Sequence, residues 1–510
     1  MLKIILLLLC PFFLFTGSVL GDPVGSVPTI KDQNFVIERY VTGIENSPTT
    51  MAFVGNDILV LQKHDGKVRL IRDGHIDKAV LDVSVTNIGE QGMLGIATVD
   101  STVYLYFTES TSDGGEPIAK RVYKYEWNGN ELVNPVLLRD LPQTRPYHNG
   151  GAMVTGLDDS VYLILGDAGR YGKLQNHKTG EPDDTSVIMR IDKEKPYYVM
   201  GIRNSFGLAV DPVTGNLWDT ENGDDDFDEI NLVMPYFNSG WEVIMGPATQ
   251  DEFSLLPGYE GYVYSDPEFS WQKPVAPTAI TFVNSEPLAK FQNSVFVGDC
   301  IYGNLYKFAL NSDRTEFVFT NPELQDKVVN MDESLDDIIF GTDFGCITDL
   351  EVGPDELLYI VSLSEGTIFR MIPQSMATTS TTEEDGGCLI ATATFGSELA
   401  PQVQFLREIR DNTVLSTVSG TSFMTAFNSF YYSFSPAVAD LERQNPMFKE
   451  TVKIVISPLL SSLSLLQYVD IDSESEMLVY GAGIILLNIG MYFVMPLVVI
   501  SKLKKKINKK

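Results

Sequence analysis

The stretch "AMVTGLDDSVYLILGDAG", residues 152–169, decides how the chain is read. A short apolar, β-branched run meets the polar turn "GLDDS". A second run, "VYLIL", then ends in the small polar loop "GDAG". Runs of this length, bounded by Gly and Asp and enriched in β-branched and aromatic residues, read as two antiparallel strands joined by a tight turn. The same order recurs in "MAFVGNDILVLQKHDGKVRLI" from Met51, "GIATVDSTVYLYFTES" from Gly95 and "GLAVDPVTGNLWDTENG" from Gly207. It returns again in "AITFVNSEPLAKFQNSVFVGD" from Ala279 and "DLEVGPDELLYIVSLSEGTIFRM" from Asp349. Several copies close with a further strand, as in "RVYKYEW" and "NLYKFAL", and long helical periodicity is missing. Six unevenly spaced copies predict an all-β fold, a six-bladed β-propeller over residues 30–372.

A propeller brings loops from distant repeats to one face around a central channel, so polar loops matter most. "NIGEQGMLGIA" enters the second repeat. "RPYHNGGAMV" enters the third and "GDAGRYGKLQN" leaves it. "VMGIRNSFGLAV" enters the fourth and "DTENGDDDFDEINLV" leaves it. His148, one of four histidines, lies between Pro146-Tyr147 and Asn149-Gly150-Gly151 and therefore on a loop. As a residue type it fits a general base, a metal ligand or, most often, a solvated surface group.

The ends of the chain address location. "MLKIILLLLCPFFLFTGSVLG" pairs a single lysine with an apolar run and small residues, the pattern of a signal peptide over 1–21. "LVYGAGIILLNIGMYFVMPLVVI", residues 478–500, carries no charge and as a helix is about 34 Å long, enough to cross a bilayer. The basic tail 501–510, with six lysines and no acid, places that end in the cytoplasm and the preceding chain outside. These features predict a single-pass membrane protein with an extracellular N-terminal domain. The net charge of −31, more negative still for the exterior part, argues against a nucleic-acid partner. Of four cysteines, Cys10 falls in the signal segment, leaving Cys300, Cys346 and Cys388 in an oxidising exterior.

The ordered motifs G-E-x-G-x-L-G, H-N-G-G, G-D-A-G, R-N-x-x-G-L-A-x-D and D-E-I-N-L resemble those of the soluble quinoprotein sugar dehydrogenases. These are the glucose/sorbosone and aldose sugar dehydrogenases, six-bladed propellers that use pyrroloquinoline quinone (PQQ) and Ca²⁺. The resemblance covers roughly residues 35–372 and implies oxidation of a sugar at its anomeric carbon. On that resemblance His148 is the base that takes the hydroxyl proton. Arg203 and Asn204 are the pair at the reacting quinone oxygen, and the backbone carbonyls of Gly223 and Asp224 bind the catalytic Ca²⁺. Glu90 falls where relatives place a polar residue near substrate or cofactor. The family also draws cations from the last two repeats to meet the carboxylates of PQQ. Here Ile301 stands at the first place and Thr348 at the cofactor side of the second, and neither is basic. Because Cys300 and Cys346 fall in these same two loops, we expect a disulfide between them at the pocket mouth.

Beyond the repeats, 373–387 reads as a Thr-rich acidic linker. "CLIATATFGSELAPQVQFLREIRDNTVLSTVSG", opening at Cys388, resembles the CFI-box C-terminal region of exported archaeal and some bacterial proteins, giving a helical region over 388–470 that serves surface attachment. The leading expectation is a membrane-anchored sugar dehydrogenase passing electrons to a surface acceptor. A propeller that has lost PQQ and binds glycans or surface partners is the alternative from the missing cations. A Ca²⁺-dependent lactonase, needing carboxylates converging on the channel, is the third.

Overall fold

The computed structural model describes residues 28–495, apart from 143–144, 194–196, 260, 332, 381–388, 396–399 and scattered positions between 415 and 472. The signal segment, Cys388 and the basic tail lie outside the described residues. Two compact units are present, one over Gly25–Ala377 and one formed by the C-terminal residues from Thr378.

In the first unit the strands group into six sheets. Each of the six sequence repeats supplies the first strand of one sheet: Pro48–Val54, Met93–Val99, Met153–Thr155, Gly207–Val210, Pro277–Phe282 and Ile347–Val352. Each packs against the next, and the last returns to the first, which closes a ring. Residues from all six strands line a central cavity of about 260 Å³, including Met51, Ile96, Met153, Gly207, Ile280 and Asp349. The arrangement is mostly β and propeller-like.

The quoted stretch folds as its pattern dictates. Met153–Thr155 pairs antiparallel with Val161–Leu165, Met153 opposite Leu163 and Thr155 opposite Val161. The turn between them is fastened by the Gly156 N–H on the Ser160 carbonyl at 2.8 Å and by the Ser160 N–H on Asp158 Oδ1 at 3.1 Å. Between sheets the core is dense in aromatics. Trp218, Phe269, Trp271, Tyr306 and Phe308, all fully buried, fill the space between the fourth and fifth sheets. Such large side chains dominate the burial energy of a core.

Closure of the ring depends on residues far apart in sequence. Phe35–Val41 supplies the outermost strand of the sixth sheet by pairing antiparallel with Thr367–Pro373. Thr29–Ile30 adds to Ile339–Thr342 at the edge of the fifth. This covers two otherwise open edges and couples the start of the ring to its end.

In the C-terminal unit, helices run over Leu389–Phe395, Pro401–Ile409, Pro446–Leu463 and Glu474–Ile489. The first half of the sequence-assigned linker is also helical, as Gln374–Ser380. Among the described residues one stretch, Glu476–Val494, is long and apolar enough to cross a membrane. Its one buried amide, Asn488, donates to Ser462 Oγ at 2.8 Å on the neighbouring helix. A polar group in an apolar helix needs such a partner.

Candidate active site

The loop after the third repeat organises the site. Gly166 ends the strand region where two other loops press against the backbone. A Cβ built on Gly166 would lie 2.5 Å from the His148 carbonyl oxygen and 2.7 Å from that of Arg203, so only glycine fits. The next two N–H groups hold those same carbonyls: Asp167 donates to Arg203 O at 2.8 Å and Ala168 to His148 O at 3.1 Å. "GDAG" is thus the joint on which the loops bearing His148 and Arg203 meet.

His148 takes a left-handed backbone conformation (φ 56°) followed by Gly150 and Gly151, also at positive φ. Its Nδ1–H donates to Asp167 Oδ1 at 2.9 Å. The Gly169 N–H donates to the same oxygen at 2.8 Å, and Trp241 Nε1–H to Asp167 Oδ2 at 2.7 Å. Burial by itself would raise the Asp167 carboxyl, but His148, Gly169 and Trp241 outweigh it and hold the group below its usual range. Asp167 therefore stays ionised and fixes the proton on Nδ1, leaving Nε2 free to accept.

Arg203 lies across from this pair with its side chain mostly buried. Its guanidinium sits 5.2 Å above the Trp241 ring and donates to the Asn222 carbonyl at 2.9 Å and to Asp224 Oδ1 at 2.7 Å. Trp241 thus touches both the orienting acid and the cation. The Arg203 N–H donates to Glu221 Oε1 at 2.7 Å, and burial pushes the Glu221 carboxyl up to about 7.

Asn204 Nδ2 donates to Glu90 Oε1 at 3.2 Å, and Glu90 Oε2 accepts the Asn149 N–H at 3.0 Å. Glu90 therefore ties the loop of the second sheet to those carrying His148 and Asn204. Four sequence-expected side chains, Glu90, His148, Arg203 and Asn204, share one end of the ring.

Gly223 and Asp224 lie beside them, on the loop before the strand Asp228–Val233. Asp228 shapes that loop by accepting the Gly223 N–H at 2.8 Å and the N–H groups of Val275 and Ala276 at 2.6 and 2.7 Å. Among the described residues no set of three or more His, Cys, Asp or Glu side chains is arranged to hold a metal. A cation here would rest on backbone carbonyls.

Cys300 and Cys346 are disulfide-bonded. Ile301 is exposed, and Thr348 Oγ1 donates to the Pro48 carbonyl at 3.3 Å. Neither position brings a cation. Asp167 and Trp241 were missed by sequence reasoning. Asp167 carried a signal, an acid between small residues directly after an apolar strand. Trp241 carried none, since it arrives from an excursion beyond the fourth repeat.

A ring of sheets with a half-buried His–Asp pair, an arginine stacked on tryptophan and a carbonyl-rich loop at one end defines a propeller-type enzyme site. The Glucose / Sorbosone dehydrogenase family profile matches residues 45–370, and the chain belongs to that family. It is 28% identical over 311 residues to the aldose sugar dehydrogenase YliI of Escherichia coli, covering 56% of this chain and 78% of that one. It is 26% identical over 260 residues to quinoprotein glucose dehydrogenase B of Acinetobacter calcoaceticus, covering 42% and 54%. In fold it is similar to the soluble aldose sugar dehydrogenase of E. coli, at TM-score 0.52 and 19% identity, over 67% of this chain and all of that one.

The quinone end of a PQQ site fits the residues present. Arg203 Nε, the Asn149 side-chain amide and Asn222 Oδ1 are buried around it with no hydrogen-bond partner among the described residues. Buried polar atoms left in this state favour a bound polar group. Arg203 and Asn204 would hold the quinone side, and the carbonyls of Gly223 and Asp224 the Ca²⁺.

Proposed function

We infer that the protein is an exported, membrane-anchored aldose dehydrogenase of the quinoprotein type. Its ring is read as a six-bladed propeller, each sheet one blade, and its cofactors as PQQ and Ca²⁺. The observation that carries the reading is the His148–Asp167 pair, set on the same loop joint as Arg203 and tied through Glu90 to Asn204.

His148 Nε2 takes the proton of the anomeric hydroxyl while Nδ1–H stays on Asp167. The ionised Asp167 stabilises the imidazolium that forms. PQQ, when bound, supplies the acceptor for the hydride leaving the anomeric carbon, so the aldose becomes its lactone. The Arg203 guanidinium, kept in place by Trp241 and Asp224, provides positive charge where negative charge develops. The apolar C-terminal helix and the lysine tail support anchoring with the sugar site outside, where a surface acceptor takes the electrons.

The test is titration of the detergent-solubilised full chain with PQQ and Ca²⁺, followed by aldoses with an electron-accepting dye. Binding plus dye reduction, abolished by His148→Ala with PQQ binding retained, is the expected result. Failure to bind micromolar PQQ overturns the reading and favours the glycan-binding alternative, which the uncharged positions 301 and 348 support. The lactonase alternative needs several carboxylates arranged around one cation, and among the described residues no set of three or more is so arranged.

A further inference from the structure

Lys273, which neither the motifs nor the resemblance singled out, is an exposed cation over Tyr302, beside the disulfide-bearing loop. Its loop is fixed from both sides. On one side the Gln272 carbonyl accepts the Phe227 N–H at 3.2 Å, and Val275 and Ala276 donate to Asp228, the acid that also holds Gly223. On the other side the carbonyls of Val275 and Ala276 accept the N–H groups of Ile301 at 3.3 Å and Cys300 at 3.0 Å. Lys273 therefore stands between the Gly223-Asp224 loop and the disulfide-bearing loop.

Its Nζ lies 5.4 Å from the centre of the Tyr302 ring, and among the described residues it forms no ion pair. The aromatic face holds the ammonium in place without neutralising it. Ile301 and Thr348 leave a tricarboxylate without the cations its relatives draw from those positions. Burying or docking an anion without a counter-charge is unfavourable, and a charge-assisted bond from a neighbouring loop restores it. Arg203 donates to the Asn222 carbonyl and to Asp224 on one flank of the 222–228 loop, and the loop carrying Lys273 meets the other flank at Phe227 and Asp228.

The geometry points to Lys273 as the residue that receives a PQQ carboxylate in this chain, in place of cations at positions 301 and 348. The inference rests on the quinoprotein reading. It is tested by equilibrium titration of the full chain with PQQ at fixed Ca²⁺, followed by cofactor absorbance, for wild type, Lys273→Met and Lys273→Arg. Loss of one charge-assisted bond weakens binding about 10- to 150-fold in Lys273→Met. The same variant shows a shallower dependence of Kd on salt, since one ion pair fewer is screened. Lys273→Arg keeps the charge and binds within about threefold of wild type. Equal affinity and equal salt dependence for wild type and Lys273→Met overturn this inference alone. Absence of binding by wild type overturns the quinoprotein reading and this inference with it.

Discussion

Replacing Asp167 by Asn removes one charge and one acceptor from a carboxylate that faces three donors. His148 Nδ1–H and the Gly169 N–H converge on Oδ1, and Trp241 Nε1–H meets Oδ2. An amide has a single oxygen. If that oxygen faces His148, the amide N–H₂ meets Trp241 Nε1–H donor to donor, and the contact shared with Arg203 through the indole ring is disturbed. If it faces Trp241, the amide N–H₂ meets Nδ1, and the imidazole proton moves to Nε2, where the base must be free. Both arrangements also lose the negative charge that stabilises the imidazolium. A hydrogen bond to a charged group contributes about 1.5–3 kcal/mol, so kcat is expected to fall about 10- to 150-fold. The assay is dye reduction by the PQQ- and Ca²⁺-loaded protein at saturating aldose, with PQQ affinity measured in parallel. A kcat within about threefold of wild type refutes the orienting role. A fall that tracks lost PQQ affinity assigns Asp167 to loop architecture instead.

Two further perturbations test the frame. Cys300 and Cys346 close a loop spanning 46 residues, for which chain entropy gives about 4 kcal/mol; Cys300→Ser/Cys346→Ser should lower the unfolding free energy by that order, and a urea midpoint indistinguishable from wild type would show the link to be thermodynamically idle. Asp349, on an inner strand, accepts the Met51 N–H at 2.7 Å and the Leu350 N–H at 2.9 Å, yet burial pushes its carboxyl up to about 7. The folded protein then holds a proton that the unfolded chain releases near pH 4, so this group's contribution declines from about pH 4 to about pH 7 and is flat above. The neighbouring buried Glu351 carboxyl is pushed up as well, so Asp349→Asn should make that part of the thermal-midpoint profile shallower rather than flat, and an unchanged slope would mean that the Asp349 carboxyl is ionised in the cavity.

The repeats were legible because each inner strand and its turn are local facts. Met153–Thr155 and Val161–Leu165 lie within one short window, with their turn residues between them. The ring's closure was not legible, since Phe35–Val41 pairs with Thr367–Pro373 across almost the whole unit and no local pattern names the partner. The same difference runs through the site. Glu90, His148, Arg203 and Asn204 stand in motifs whose order could be read. Trp241 gains its role only because an excursion after the fourth repeat folds back to Asp167, 74 residues earlier. Thr348 shows the opposite case: its position suggested the cofactor, but its hydroxyl is engaged by Pro48 of the first sheet.

Why the orienting acid sits on the third loop follows from the geometry of Gly166. A glycine there admits the His148 and Arg203 carbonyls to within reach of consecutive N–H groups, so both loops are referenced to one short backbone segment. A base and a cation borne on separate sheets of a ring would each inherit the play of its own loop. Tied to Asp167-Ala168, and bridged again by Trp241 and by Glu90, they share one bonded frame. Preorganisation of this kind is what lets a static constellation lower a barrier. Ile301, the disulfide and Thr348 belong to the fifth and sixth sheets, outside that joint, so on the proposed reading a cation supplied from Lys273 would leave the His148–Asp167 pair undisturbed.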